Sequence, residues 1–266
     1  MRKIKIGIIG GGQWANALGA LVKRAGHSVG GSLLGADLWL VAVPAEFFRI
    51  AVSEVASDYK GQPIIICTKG LEPKTHLFMS EVLAKVIPKC VGHIGVLSGP
   101  QFAAEVVRKV PTGSTLAGSA KVREIGRVAF GEFYLEETDD IIGTELCGCG
   151  KNAAAIVAGF YSVRAKGENE RAMMLSRAWA EVAHLGEKIG AKLRTFIGLC
   201  GTGDLFLSAA SPTSRNFSAG VAIARRRPLV GTVEGVSAIR GITFRAKKFG
   251  FKTPVLDFMS AKIQAG

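Results

Sequence analysis

The sequence has no apolar stretch long enough to cross a bilayer. Its most apolar run, Val29 to Phe48, contains Asp37, Pro44 and Glu46, whereas a span needs about 20 predominantly apolar residues. The basic, apolar start from Met1 to Ile9 stops at Gly10-Gly11-Gly12, too short for the core of an export signal. Cysteine is sparse and odd in number: Cys67, Cys90, Cys147, Cys149 and Cys200 in 266 residues. That argues against a disulfide framework and predicts reduced thiols and a cytoplasmic location. Cys147 and Cys149 have no second Cys or His cluster beside them, so they read as small buried hydrophobes and no metal site is expected. His27, His76, His93 and His184 have neither triad nor ligand spacing and read as structural or exposed. Internal repeats and low-complexity tracts are absent.

Acidic residues are also few, 21 against 34 Lys and Arg, for a net charge of +13. Such a balance favours anionic partners: nucleic acid, acidic lipid or small phosphorylated molecules. The densest basic run, Arg225-Arg226-Arg227, has no interleaved aromatics and no nucleic-acid motif accompanies it, so nucleic acid is not an expected partner. A basic surface that steers phosphorylated small molecules accounts for the charge. What the chain has in excess is glycine, 34 residues without a G-X-Y period, which implies tight turns or close backbone approaches. With 48% hydrophobic and 21% charged residues the composition is globular.

A short β-branched run at 3–9 and further strand-like apolar runs at 38–43, 63–67 and 94–97 alternate with helical spacing at 14–25, 47–55 and 77–86. The alternation predicts a Rossmann-like parallel sheet covered by helices on both faces. Beyond about Asp139 only helix-compatible stretches follow (144–163, 170–186, 214–224 and 234–249), so a cofactor domain over 1–138 and an all-α domain over 139–266 are expected. Gly10-Gly11-Gly12-Gln13-Trp14-Ala15 fits G-x-G-x-x-G/A between a strand and a helix. Gly10 permits the turn, Gly12 lets the backbone approach a pyrophosphate, Ala15 keeps helix and strand close, and the helix N-terminus offers free N–H donors. The acidic residue that usually follows about 20 positions on, for the adenosine ribose, is missing. The first acid is Asp37, better used as a turn or cap before the next strand. Only residues 27–37 separate the first helix stop from that strand, and a crossover needs a dozen or more. One strand–helix unit is therefore expected to be absent or vestigial.

Further motifs follow in order: Ala36-Asp37-Leu38-Trp39-Leu40-Val41-Ala42-Val43-Pro44, Thr68-Lys69-Gly70-Leu71-Glu72, Ser98-Gly99-Pro100-Gln101-Phe102-Ala103, and Gly143-Thr144-Glu145-Leu146 before Lys151-Asn152. Gly198-Leu199-Cys200-Gly201-Thr202-Gly203-Asp204-Leu205, Ser214-Arg215-Asn216 and Val233-Glu234-Gly235 complete the series. Over nearly the whole chain this resembles the bacterial NAD(P)-dependent sn-glycerol-3-phosphate dehydrogenases. The resemblance implies reversible reduction of dihydroxyacetone phosphate to sn-glycerol 3-phosphate for phospholipid synthesis, with NAD(P)H as cofactor, and members that are often homodimers. It implies Lys151 as general acid/base, Lys69 as a second active-site lysine near cofactor and substrate, and Asp204 as the carboxylate partnering the lysine. Gly99, Asn152, Ser214, Arg215 and Asn216 join these three as substrate contacts. Gly10, Gly12, Gln13, Trp14, Lys69, Ala103, Arg215 and Glu234 are the implied cofactor contacts.

On the residues alone, Lys151 reads as a solvated helix lysine and only the motif overturns this, while Ser214, Asp204 and Glu234 read as helix N-caps. The chain also departs from the family. It has deleted nearly all of a strand, helix and strand after His27, including a basic residue for the adenosine phosphate. Gln101 replaces a small hydroxyl residue, and Ser208 a threonine four residues after Asp204. Gly150 stands for leucine before Lys151, which is expected to loosen that helix by about 1 kcal/mol. The stretch between Ala224 and Glu234 is short. A non-catalytic relative that keeps the fold but binds dinucleotide poorly is therefore the alternative reading. Lys23 and Arg24, without an acid after the turn, tilt the cofactor expectation mildly to NADPH.

Overall fold

The structure is a computed structural model describing residues 3–30, 33–211 and 214–264. The first half alternates β1 (Lys5–Ile9), α1 (Gln13–Arg24), β2 (Ser28–Gly30), β3 (Leu38–Val41), α2 (Phe48–Glu54), β4 (Ile64–Ile66), α3 (Met79–Val86), β5 (Ile94–Ser98) and α4 (Ala103–Val107). It ends with β6 (Gly113–Gly118), α5 (Ala120–Phe130) and β7 (Tyr134–Thr138). One seven-stranded sheet has the order β2-β1-β3-β4-β5-β6-β7. It is parallel except between β5 and β6, which run antiparallel. The apolar runs of β3 and β4 are wholly buried, as expected of strands covered on both faces. One face packs on α1 and α5 through Leu18, Val22, Val122 and Phe130, and the other on α2 and α3 through Phe48, Val52, Val82 and Leu83.

The sequence reading passes over β6 and β7 and gives a purely parallel sheet. Neither strand carries an apolar run: β6 is Gly-Ser-Thr-Leu-Ala-Gly and β7 Tyr-Leu-Glu-Glu-Thr, the latter a polar edge. The doubly wound order 3-2-1-4-5-6 survives here without its outermost member. The expected vestige is β2, three residues paired to β1, and what is lost is the helix and strand beyond it. The described part of the return to β3, residues 33–37, crosses β1 without a helix. A Cβ on Gly7 would stand 2.5 Å from Leu33 Cδ2, so the bare glycine gives the return its clearance. Trp39 Nε1 donates to the Leu33 carbonyl at 3.2 Å, and Asp37 Oδ2 accepts from the Lys5 amide at 2.8 Å.

The second half is helical: α6 (Ile141–Arg164), α7 (Glu168–Lys188), α8 (Leu193–Ile197), a π-helical turn Leu199–Gly203, α9 (Asp204–Ala209), α10 (Arg215–Ala224), α11 (Glu234–Lys248) and α12 (Pro254–Gln264). Its axis is α6, buried on nearly every side from Gly143 to Phe160, as a helix apolar all round must be. Asp140 caps it, accepting from the Gly143 amide at 2.8 Å. Small residues let the neighbours close in. A Cβ on Gly159 would collide with the Phe217 carbonyl, and one on Gly220 with the Ile156 carbonyl. Gly150, expected to loosen the helix, also clears Val182 of α7, whose Cγ1 a Cβ would strike. The residue is thus a packing contact between α6 and α7 as well as a weak helix former.

Candidate active site

Ligands of open α/β sheets bind beyond the carboxyl ends of the strands, where the strand order reverses. Here that point lies between β1 and β3, and each strand end delivers residues to one cleft of about 740 Å³. After β1 come Gly12, Gln13 and Trp14; after β3, Ala42, Val43 and Pro44; after β4, Cys67, Thr68 and Lys69; after β5, Gln101, Phe102 and Ala103. The helical half closes it with Lys151, Asn152, Ser208, Ser214, Arg215, Asn216 and Glu234. Eleven of the fourteen residues singled out from the sequence therefore line one cleft. Gly99 and Asp204 are buried behind its lining, and exposed Gly10 lies in the turn that leads to Gly12.

Asp204 joins the two halves. Its carboxylate pairs with Lys69 Nζ at 2.5 Å and with Lys151 Nζ at 3.0 Å. Lys69 Nζ also donates to the Gly99 carbonyl at 2.9 Å, and Lys151 Nζ to Ser208 Oγ at 2.8 Å. Asp204 is 1% exposed, so its charge is compensated by two ammonium groups rather than by water, as a buried carboxylate requires. The N-cap alternative does not hold for it: Asp204 is the first residue of α9, with Gly203 at the cap. Burial pulls Lys151 below the ordinary lysine value and the Lys69 charge adds to this, while Asp204 opposes both. Burial and a neighbouring cation are the two influences that make a lysine a readier proton donor.

Neighbouring backbone fixes the trio. Thr68 Oγ1 donates to the Val43 carbonyl at 2.8 Å, tying the Lys69 loop to the end of β3. The π-helical turn before Asp204 is held by the sheet's far edge. Leu199 N donates to Glu136 Oε2 at 2.7 Å and Cys200 N to Thr115 Oγ1 at 3.1 Å. A Cβ on Gly201 would collide with the Phe196 carbonyl, and one on Gly99 would lie 2.8 Å from Ser114 Cα. These glycines serve close packing behind the lysines. Sequence reading misses Thr115 and Glu136, which carry no local signal, and notes Ser208 only as a departure.

Beside the lysines, α6, α10 and α11 are joined through side chains. Asn152 Nδ2 donates to Glu234 Oε2 at 3.0 Å, Asn216 Nδ2 to Asn152 Oδ1 at 2.8 Å, and the Gly235 amide to Asn216 Oδ1 at 2.9 Å. Ser214 is a helix cap as well as a cleft residue, its Oγ accepting from the Phe217 amide at 3.4 Å. Arg215 is exposed to the cleft, and its side chain forms no ion pair or hydrogen bond with the described residues.

The glycine turn fits a dinucleotide. Gly10 has φ +132°, and a Cβ there would collide with the Ala42 carbonyl, so only glycine makes this turn. Gly11 and Gly12 have nothing within 4 Å of a Cβ position, and α1 has neither a side-chain cap nor an acid in its first turn. Its N–H groups are free to meet an anion. Asp37, bonded to the Lys5 amide, is structural as expected. Arg24 donates to the Val106 carbonyl at 3.1 Å, at the end of α4. Its part in the NADPH expectation therefore has no support from its position.

Comparison with known proteins agrees with this geometry. The family model described as NAD-dependent glycerol-3-phosphate dehydrogenase C-terminus matches residues 140–265, and its N-terminal counterpart matches residues 30–123, past the glycine turn. A glycerol-3-phosphate dehydrogenase [NAD(P)+] of Parvibaculum lavamentivorans is 37% identical over 245 residues, 87% of this chain and 72% of the relative. One from a Bradyrhizobium species is 34% identical over 301 aligned positions, 96% of this chain and 90% of that one. The alignment is longer than the chain, so the relative carries residues that are missing here. In structure, the chain is similar to the glycerol-3-phosphate dehydrogenase of Coxiella burnetii, with a TM-score of 0.86 at 26% identity, covering 98% of this chain and 94% of the other. With both halves matched in order and the relatives covered over most of their length, the chain belongs to the NAD-dependent glycerol-3-phosphate dehydrogenase family.

Proposed function

We propose that the chain is an NAD(P)-dependent oxidoreductase that reversibly reduces dihydroxyacetone phosphate to sn-glycerol 3-phosphate. The observation that carries this reading is the convergence of Lys69 and Lys151, one from each half, on the buried Asp204 at the cleft. Residues 1–138 serve as the cofactor domain and 139–266 as the substrate domain. The dinucleotide, when bound, supplies the hydride. Gly12, Gln13 and Trp14 would hold its pyrophosphate at the α1 N-terminus, with Ala103, Lys69, Arg215 and Glu234 along its remaining length.

The free Arg215 guanidinium, with the Asn216 amide, suits the substrate phosphate, since a planar fork recognises phosphate oxygens in pairs. Hydride addition to the ketone leaves charge on the carbonyl oxygen. Lys151 Nζ gives that oxygen a proton, and in the reverse direction takes one from the alcohol. Lys69 adds positive charge at the same oxygen. Asp204 and Ser208 hold the Lys151 amine in place, and Asp204 keeps both cations close despite their repulsion. The five free, buried thiols suit a reducing compartment, and the cytoplasm is the location we assign. No helix among the described residues is long and apolar enough to cross a membrane. The homodimer remains an expectation from the family.

The test is NAD(P)H oxidation with dihydroxyacetone phosphate, followed by loss of nicotinamide absorbance, with each cofactor in turn. Lys151→Met should lower turnover by about 10²–10⁴-fold while cofactor binding, read by fluorescence, stays intact. An equal loss of both would remove Lys151 from the chemistry. Folded protein without turnover on either cofactor would remove the enzyme reading itself.

A further inference from the structure

The arginine triplet has no part in the chemistry above. We propose that two of its members, Arg226 and Arg227, form the rim of a second site, a groove between α6, α10 and α12 that binds a single-chain amphiphile with an anionic headgroup. The groove measures about 740 Å³ and shares no lining residue with the catalytic cleft. That volume is typical of small-molecule sites. Its wall is apolar, with Phe160, Ile223, Leu229, Phe258 and Ile263. Its charged lining residues are Arg164, Arg226, Arg227 and Lys262, with no carboxylate among them.

Several cations elsewhere are ion-paired, Arg49 with Glu72, Arg127 with Glu137, Lys192 with Asp139 and Arg245 with Glu81, while others, Arg215 of the catalytic cleft among them, are not. The side chains of the four groove cations make no ion pair or hydrogen bond with the described residues. Glu170, the carboxylate that acts on Tyr161 at the groove's edge, accepts from the Lys166 amide at 2.8 Å. Nor do the arginines cap α10. Its last carbonyls are taken by main-chain N–H groups, Arg226 N on Ile223 O and Arg227 N on Ala222 O, both at 2.9–3.1 Å. Arg226 takes φ +52° to complete that turn, and its guanidinium is left for the groove.

Unpaired guanidinium forks beside an apolar trough match a ligand of two parts. A phosphate, sulfate or carboxylate engages the forks, and an alkyl chain covers the phenyl and aliphatic wall. The concavity takes one chain, not the face of a bilayer. A second copy of this basic protein would have to bring acidic side chains to the same rim.

The probe is dodecyl phosphate below its micelle threshold, titrated calorimetrically into the full chain with glycerol 3-phosphate present to fill the catalytic cleft. One site is expected, weakened by at least about tenfold in Arg226→Glu with Arg227→Glu. Phe258→Asp, on the opposite wall, should weaken it too, and both variants should keep wild-type turnover. Ethyl phosphate and the neutral dodecyl maltoside should bind far more weakly than the probe. Undiminished affinity in the charge-reversed variant, or ethyl phosphate binding as tightly as dodecyl phosphate, would overturn the proposal. So would capture by phosphatidylglycerol vesicles without binding of the monomeric probe. A dimer that dissociates in the charge-reversed variant, seen by sedimentation, would assign the groove to a second copy and overturn it as well.

Discussion

Lys151 answers to three influences at once, and their signs can be separated. Burial and the Lys69 ammonium favour its neutral form, while Asp204 favours the charged one. Ketone reduction needs the protonated amine, so its rate should fall as pH rises through the Lys151 pKa. In Lys69→Met the repulsion disappears and Asp204 is left to Lys151 alone. The falling limb of kcat for reduction should then move to higher pH, as a pH–rate profile would reveal; an unmoved limb would mean that another group sets it. Glu145, one turn and a half earlier on α6, poses a different problem. Its buried carboxylate accepts from Ser80 N at 2.8 Å and Ser80 Oγ at 2.5 Å, and burial raises its pKa to about 7. The folded pKa exceeds the unfolded value of about 4.3, so the folded state holds the extra proton between them and stability falls as pH rises through that window. Glu145→Gln should flatten the dependence between about pH 5 and pH 7.5, by up to ~3 kcal/mol in urea denaturation. An unchanged slope would clear Glu145 of the effect.

At the scale of elements, α6 is the part most dependent on what it lacks. Glycine in a helix costs about 1 kcal/mol against alanine, yet Gly150→Ala is expected to destabilise by ~1–3 kcal/mol because its methyl meets Val182. Val182→Ala in the same chain should recover much of the loss, whereas it should not rescue Gly220→Ala, whose methyl meets the Ile156 carbonyl. Thermal denaturation of the single and double variants checks both. The same contrast explains what the sequence could be made to say. Strands β1, β3, β4 and β5 are apolar runs between turn residues, and periodicity finds α6, α7, α10 and α11 to within a few residues. β2, β6 and β7 owe their existence to neighbouring strands and carry no such pattern. Lys69, Lys151 and Asp204 were legible only through family motifs, because a lysine alone on a helix looks like a solvated one. The anchors Thr115 and Glu136 lie on strands that had escaped notice, and their part depends on a turn more than 60 residues away in sequence.

For the whole molecule, a charge of +13 draws anions toward every concave surface, the catalytic cleft included. KM for dihydroxyacetone phosphate should rise by a few fold between about 0.05 and 0.3 M KCl, as the screening length shrinks from about 14 to 6 Å, with kcat less affected. A salt-independent KM would assign substrate capture to Arg215 and its neighbours alone. The sheet's missing unit carries another consequence. It lies beyond β2, at a margin, so its loss separates no strand from a partner, and β1, β3, β4 and β5 keep their register. The place where the chain is shortest is thus also where it can be lengthened without disturbing the catalytic trio. A helix–strand cassette grafted after β2 would meet the free outer edge of that strand. The protein is in this sense a chassis with an open socket, to which the extra segment of a longer relative could be returned as a single piece.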